Sequence, residues 1–204
     1  MRNTNIRGTI ALLESDTSFG QTESSKSNKA MHLKWLKYFA ILMLMLGLHV
    51  FSFGQSAGDY QTSNGGNWNN SGIWQRYNGS AWVAATDFPG QNTGTGTVTI
   101  RNNHNVTFNA TPTNSIGALV LATGNNATVL SFSTNDTLNV SGNVTISSTS
   151  ASVAKSIAIG GGSLNCNNLS LSSSGGNDNR DAFVSIDNNG SLTVTGDISM
   201  SSSN

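Results

Sequence analysis

From Gln55 onward this chain has no glutamate and a single lysine, Lys155. It has one cysteine in 204 residues, Cys166, so no disulfide can form within the chain. A region without Glu, nearly without Lys and without Leu-rich helical periodicity has little to build helices from. Its abundant Ser, Thr, Asn and Gly, set between apolar pairs, suit an all-β chain. Basic residues are equally scarce. After the leader they are Lys155, Arg76, Arg101 and Arg180, against Asp59, Asp87, Asp136, Asp178, Asp181, Asp187 and Asp197. The formal charge of this part is therefore −3, although the whole chain sums to zero. A negative surface with no basic patch excludes nucleic acid as a partner. His104 is the only histidine after the leader, so neither a His-based metal site nor a Ser-His-Asp arrangement can be assembled there.

The positive charge lies at the front. Lys34 and Lys37 precede an apolar run, Tyr38 to Phe53, with Ser52 and Gly54 as small residues just before Gln55. A basic n-region, an apolar h-region and small residues at −3 and −1 define a secretory signal peptide, residues 31–54. The run is shorter than the roughly 18–20 residues of a membrane-crossing helix, so cleavage is expected rather than an uncleaved anchor. Residues 1–30 are polar and of mixed charge. They read as a non-native or disordered extension, with translation starting at Met31. No cysteine stands at the cleavage point to carry a lipid, so a lipoprotein anchor is not expected.

The rest divides at residue 95. Residues 55–95 are rich in aromatics, whereas 96–204 alternate. Apolar pairs at i and i+2 recur as Val98/Ile100, Val106/Phe108, Leu119/Leu121, Leu130/Phe132, Leu138/Val140, Val144/Ile146, Ile157/Ile159, Leu164/Cys166, Leu169/Leu171, Val184/Ile186, Leu192/Val194 and Ile198/Met200. Side chains two apart share one face of a strand. Taken as triples, the pairs predict one unit stacked on copies of itself. The text repeats too: Val140-Ser-Gly-Asn-Val-Thr-Ile-Ser147 matches Val194-Thr-Gly-Asp-Ile-Ser-Met-Ser201. Val106, Leu138, Leu164 and Leu192 align at a near-regular spacing that drifts from copy to copy, as in a coil whose corners accept insertions. The expected fold is a right-handed parallel β-helix (β-solenoid) of about four rungs, rather than an antiparallel sandwich. Cys166 should then lie buried between Val140 and Val194.

A coil of this kind exposes core and unpaired backbone at its first rung. Tyr60, Trp68, Trp74, Tyr77, Trp82 and Phe88 stand at that point in the sequence. Gly72 to Val83 reads as a hairpin with Asn78-Gly79 at its turn, laid over the open end as a cap. Exposed aromatic faces also stack on sugar rings, which makes Trp74, Tyr77 and Trp82 candidate carbohydrate contacts.

Trp68, Trp74 and Trp82, followed by Pro89-Gly90, Gly96-Thr-Val-Thr-Ile100, Asn105-Val-Thr-Phe108 and the Leu-x-Val-x-Gly-x-Val-x-Ile repeats, resemble the N-terminal region of large secreted bacterial surface proteins with parallel β-helix or G8-like repeats. Many of these leave the cell by the type IX route. The resemblance implies a secreted or cell-surface location and further domains of the chain beyond Asn204.

Chemistry is sparse. Asp178, Asn179 and Asp181 offer hard oxygen ligands of the type calcium takes, but their spacing fits neither an EF-hand nor a β-roll nonapeptide, and a solvated corner is the expected reading. No paired carboxylates suited to glycoside chemistry recur on one face. No catalytic residue, cofactor or metal ligand is assigned. The expected function is a structural or adhesive solenoid segment without catalytic activity of its own, its partners being extracellular polysaccharide or cell-surface components. The alternative is a carbohydrate-binding module, or the non-catalytic front of a polysaccharide-processing enzyme.

Overall fold

The structure, a computed structural model, describes residues 54–133, 135–149, 153–174, 181–187 and 189–203. The leader and signal peptide up to Phe53 lie outside the described residues, as do Asp178 and Asn179 of the acidic turn.

The strands are β1 (Tyr60–Thr62), β2 (Gly66–Asn67), β3 (Trp74–Tyr77), β4 (Trp82–Ala84), β5 (Thr97–Ile100), β6 (Asn105–Phe108), β7 (Ala118–Leu121), β8 (Thr128–Phe132), β9 (Thr137–Ser148), β10 (Lys155–Ile159), β11 (Ser163–Ser174), β12 (Ala182–Ile186), β13 (Ser191–Val194) and β14 (Ile198–Ser203). One sheet runs β13-β11-β9-β7-β5-β1-β3-β4, with β14 also on β11; the other runs β12-β10-β8-β6-β2. Neighbours along each sheet are successive passes of the chain, and every pairing from β5 onward is parallel. This is a β-solenoid of about three turns, close to the four rungs expected.

In-register pairing turns the apolar alternation into columns. Val98, Leu119, Val144, Leu169 and Ile198 form one. Val106, Leu130, Ile157 and Val184 form a second. Leu138, Leu164 and Leu192 form a third, and Cys166 sits between Val140 and Val194. Most of these side chains are fully buried. Each inward residue meets an inward residue above and below, so a one-residue slip would send a whole column into solvent.

The phase of the first coil departs from the sequence reading. Val106 stacks on Leu130, not on Leu138. Leu119/Leu121 return to the column begun by Val98/Ile100. The third face of that coil shrinks to one bridge, Ile116 to Val140. The step from Val106 to Leu138 therefore joins two different faces. The true first column passes from Val98 to Leu119, Val144, Leu169 and Ile198, in steps that lengthen towards the C-terminal end. The stack also starts earlier than the change in composition suggests: within 55–95, β1 and β2 already pair in parallel with β5 and β6.

The aromatic segment closes the N-terminal end. β3 adds antiparallel to β1, and β4 to β3. A 3-10 turn at Ser71–Ile73, capped by the Asn70 side chain, drops Ile73 into the core. Trp68 and Trp74 pack edge to face at 5.0 Å, and Trp68 does the same on Phe108 at 5.2 Å. Both indole N–H groups donate to backbone oxygens, Trp68 to Pro89 at 3.1 Å and Trp74 to Trp68 at 2.8 Å, so these buried polar atoms carry no desolvation penalty. The hairpin turn is longer than a two-residue Asn-Gly turn. Tyr77 pairs with Trp82, leaving four residues in the loop, and only Gly79 takes positive φ, at 99°. Asn78 instead accepts from the N–H groups of Ser80 and Ala81, both at 2.9 Å, which satisfies the turn from the side chain.

At the opposite end the columns open: Ile198 is 58% and Met200 77% exposed. No helix among the described residues is long and apolar enough to cross a membrane.

The alternation gives a paired test. Leu164 is fully buried, whereas Asn165 points outward. Leu164→Ala should cost about 2–5 kcal/mol through lost burial and a cavity. Asn165→Ala should stay within about 1 kcal/mol. Urea unfolding of both variants checks this; equal losses would contradict the inward and outward assignments.

Candidate functional site

The polar chemistry of the described residues gathers at two places, the cap and one corner of the coil.

At the cap, the Tyr60 hydroxyl donates to Asp87 Oδ1 at 2.7 Å, and Asn92 donates to Asp87 Oδ2 at 2.8 Å. The Arg76 guanidinium lies 5.5 Å from the centre of the Tyr60 ring and 3.9 Å from Asp87 Oδ2. Burial pushes the Asp87 carboxyl up, but the hydrogen bonds from Tyr60 and Asn92 and the charge of Arg76 outweigh it, holding the group below its ordinary value. Burial, then the bond to Asp87, pushes the Tyr60 phenol well above its ordinary range. Asp59 accepts from the N–H groups of Ser56 and Thr97 at 2.8 and 2.7 Å. These carboxylates tie the loops of the cap to the first coil.

Sequence places three aromatics on one carbohydrate platform, and the structure separates them. Trp74 is 1% exposed and belongs to the core, so its ring offers no face to a sugar. Tyr77 and Trp82 are opposed across β3–β4, half-buried, with ring centres 5.4 Å apart and tilted by 58°. A groove of about 440 Å³ runs beside the same hairpin, lined by Arg76, Tyr77, Val83, Ala85 and Thr86 among others. Arg76 opposes Val83 one residue before the Tyr77–Trp82 pair. Strand alternation therefore puts Arg76 and the two rings on opposite faces of the ribbon. Tyr77 nevertheless lines the groove as well, so the groove borders one ring of the aromatic pair.

The second place is one that no sequence motif singles out. Lys155 is fully buried, and its Nζ has three oxygen neighbours. It donates to Asn102 Oδ1 at 2.7 Å, to Thr128 Oγ1 at 3.1 Å and to the carbonyl of Asn126. Asn126 also donates its N–H to Asn102 Oδ1 at 3.1 Å. Gly124 packs so closely that a Cβ there would lie 2.4 Å from Asn102 Cγ, and its φ of 149° is a glycine conformation. Thus Asn102 after β5, the turn before β8 and the first residue of β10 meet at one corner. Burial pushes the Lys155 amine below its ordinary range, and no carboxylate among the described residues lies within ion-pair distance of it. The signal was available: Lys155, Ile157 and Ile159 occupy alternate positions, so the lysine has the inward phase.

Of the candidate calcium ligands, only Asp181 is described, and its carbonyl accepts from the Lys155 N–H. His104 Nδ1 contacts Thr62 Oγ1 at 2.7 Å. No group of three or more His, Cys, Asp or Glu side chains suited to a metal ion occurs among the described residues.

The chain matches no protein-family model, no curated protein and no solved structure.

The Asp87 cluster predicts acid sensitivity. Its folded pKa lies below 3.8, so its contribution is fully present above that value and is lost as pH falls through the folded value. Thermal unfolding followed from pH 5 to pH 2 should show a fall in stability that is smaller in Asp87→Asn. Tyr60→Phe should cost about 1.5–3 kcal/mol at pH 7, the range for a hydrogen bond to a charged group. An Asp87→Asn profile parallel to that of the parent chain would contradict the assignment.

Proposed function

We propose that the chain is a structural or adhesive β-solenoid segment, secreted to the medium or the cell surface, whose work is to present its exterior rather than to catalyse a reaction. The observation that supports this most is the regularity of the outward face. The same registers that stack the core also stack a polar column: Thr145, Ser170 and Ser199 lie one above another, with Val120 the one apolar residue between Thr145 and Thr99. Beside them Asn165 donates to Asn139 and Asn168 to Asn143, both at 2.9 Å. Such a face is largely uncharged, rigid and rich in hydroxyl and amide groups, which suits contact with extracellular polymers. The leader read from Lys34 to Gly54 supports the location.

The half-exposed Tyr77–Trp82 pair favours a second reading, a carbohydrate-binding module. The two rings supply the apolar faces on which a sugar ring can lie.

One preparation tests both. Protein recovered from medium or cell surface should begin at Gln55 by N-terminal mass spectrometry. Material found only in the cytoplasm and retaining Met31 would overturn the secreted reading. On a panel of insoluble polysaccharides, retention that disappears in Trp82→Ala would favour the second reading. Equal retention of parent and variant would remove the aromatic pair from it.

A further inference from the structure

The Lys155 corner holds a nucleophile and an electrophile against each other. A buried amine is 2.7 Å from the carboxamide oxygen of Asn102, which comes from a much earlier turn of the chain. We propose that Lys155 and Asn102 are joined by an intramolecular isopeptide bond, a covalent staple running along the coil.

Each neighbour has a part in that reaction. Asn126 holds both partners: its carbonyl accepts from Nζ, and its N–H donates to Asn102 Oδ1 at 3.1 Å. That donor points at the oxygen where negative charge develops when an amine adds to the carboxamide. The Thr128 hydroxyl, 3.1 Å from Nζ, is placed to pass a proton. Gly124 closes over the Asn102 carboxamide where any side chain would collide with it. The three donations to oxygen are those of the ammonium; burial shifts the group towards the neutral amine, which gives up one of them and so frees the lone pair that attacks. Holding the partners in place replaces a slow encounter by a step within one bound geometry.

The step balances without oxidant or reductant. The neutral amine adds to Asn102 Cγ, forming the Nζ–Cγ bond and moving the carbonyl pair onto Oδ1. The Thr128 hydroxyl takes up one Nζ proton as it gives up its own, and one proton reaches Nδ2. The Cγ–Nδ2 bond then breaks, ammonia leaves, and the carbonyl re-forms. Nζ keeps one hydrogen as a secondary amide. The product joins the corner after β5 to the start of β10, across the coil that holds β8. A chain with one cysteine has no disulfide to do this.

Peptide mapping of the purified full-length chain decides the matter. Between Arg101 and Arg180 there is one trypsin site, Lys155. An acylated lysine is not cleaved, so the linked chain should give a single fragment, 102–180, lighter than its sequence by one ammonia. Cyclised Gln55 and succinimides at the Asn-Gly pairs of Asn64, Asn78 and Asn189 lose the same mass, but all lie outside that fragment. Lys155→Arg should restore the full mass of the region and a cut after residue 155. Fragments 102–155 and 156–180 at full mass from the parent chain would overturn the proposal. So would a loss of ammonia from 102–180 that persists in Lys155→Arg.

Discussion

Everything in this molecule depends on the in-register stacking of inward side chains from one coil to the next. A parallel strand pair contributes little specificity through its backbone, since any residue can form the ladder. The columns supply it. Leu119 must meet Val98 and Val144, and Leu130 must meet Val106 and Ile157. Because both neighbours of an inward residue are inward residues, the core is continuous along the axis, and the corners are free to vary in length. The uneven steps from Val98 to Leu119, to Val144, to Leu169 and to Ile198 show that freedom within one column.

The same constraint creates two ends, and the N-terminal one is closed by large aromatic side chains. Trp68 fills the space over Phe108, Trp74 packs against Trp68, and β3 and β4 cover the edge of β1. Tying these loops down needs polar groups that are themselves satisfied, and the Tyr60–Asp87–Asn92 cluster provides them. Burial of Trp74 and partial exposure of Trp82 thus have one cause. Residues of the hairpin alternate between sealing the coil and facing outward, and function can draw only on the second set.

The all-β class, the coil, the twelve apolar pairs and the place of Cys166 are legible in sequence because each rests on a period of two or on repeated text, and the aromatic cap because its rings cluster where the first rung would lie open. The phase of the first coil is not. Ile116 has no partner at i+2 on its face, so the third face of that coil is invisible to a search for pairs. The hairpin loop reads too short because the Asn78 side chain can satisfy a four-residue turn as well as Asn-Gly satisfies a two-residue one. Separation of Trp74 from Tyr77 and Trp82 requires knowing which face of β3 meets the core. Lys155 is readable by alternation with Ile157 and Ile159, but a charged residue at an inward phase is normally assigned to a corner. Of its three oxygen neighbours, Thr128 opens β8 as the in-register partner of Lys155, but Asn102 and Asn126 come from turns of earlier coils, and no local pattern places them.

The central claim is that successive coils pair in parallel with Leu119, Val144 and Leu169 in one column. Nuclear Overhauser contacts in an isotope-labelled sample test it directly. Parallel pairing predicts amide-to-Hα contacts linking β7 to β9 and β9 to β11 in the stated register, without short Hα–Hα contacts between those strands. Strong Hα–Hα contacts between them, the signature of antiparallel neighbours, would contradict the solenoid.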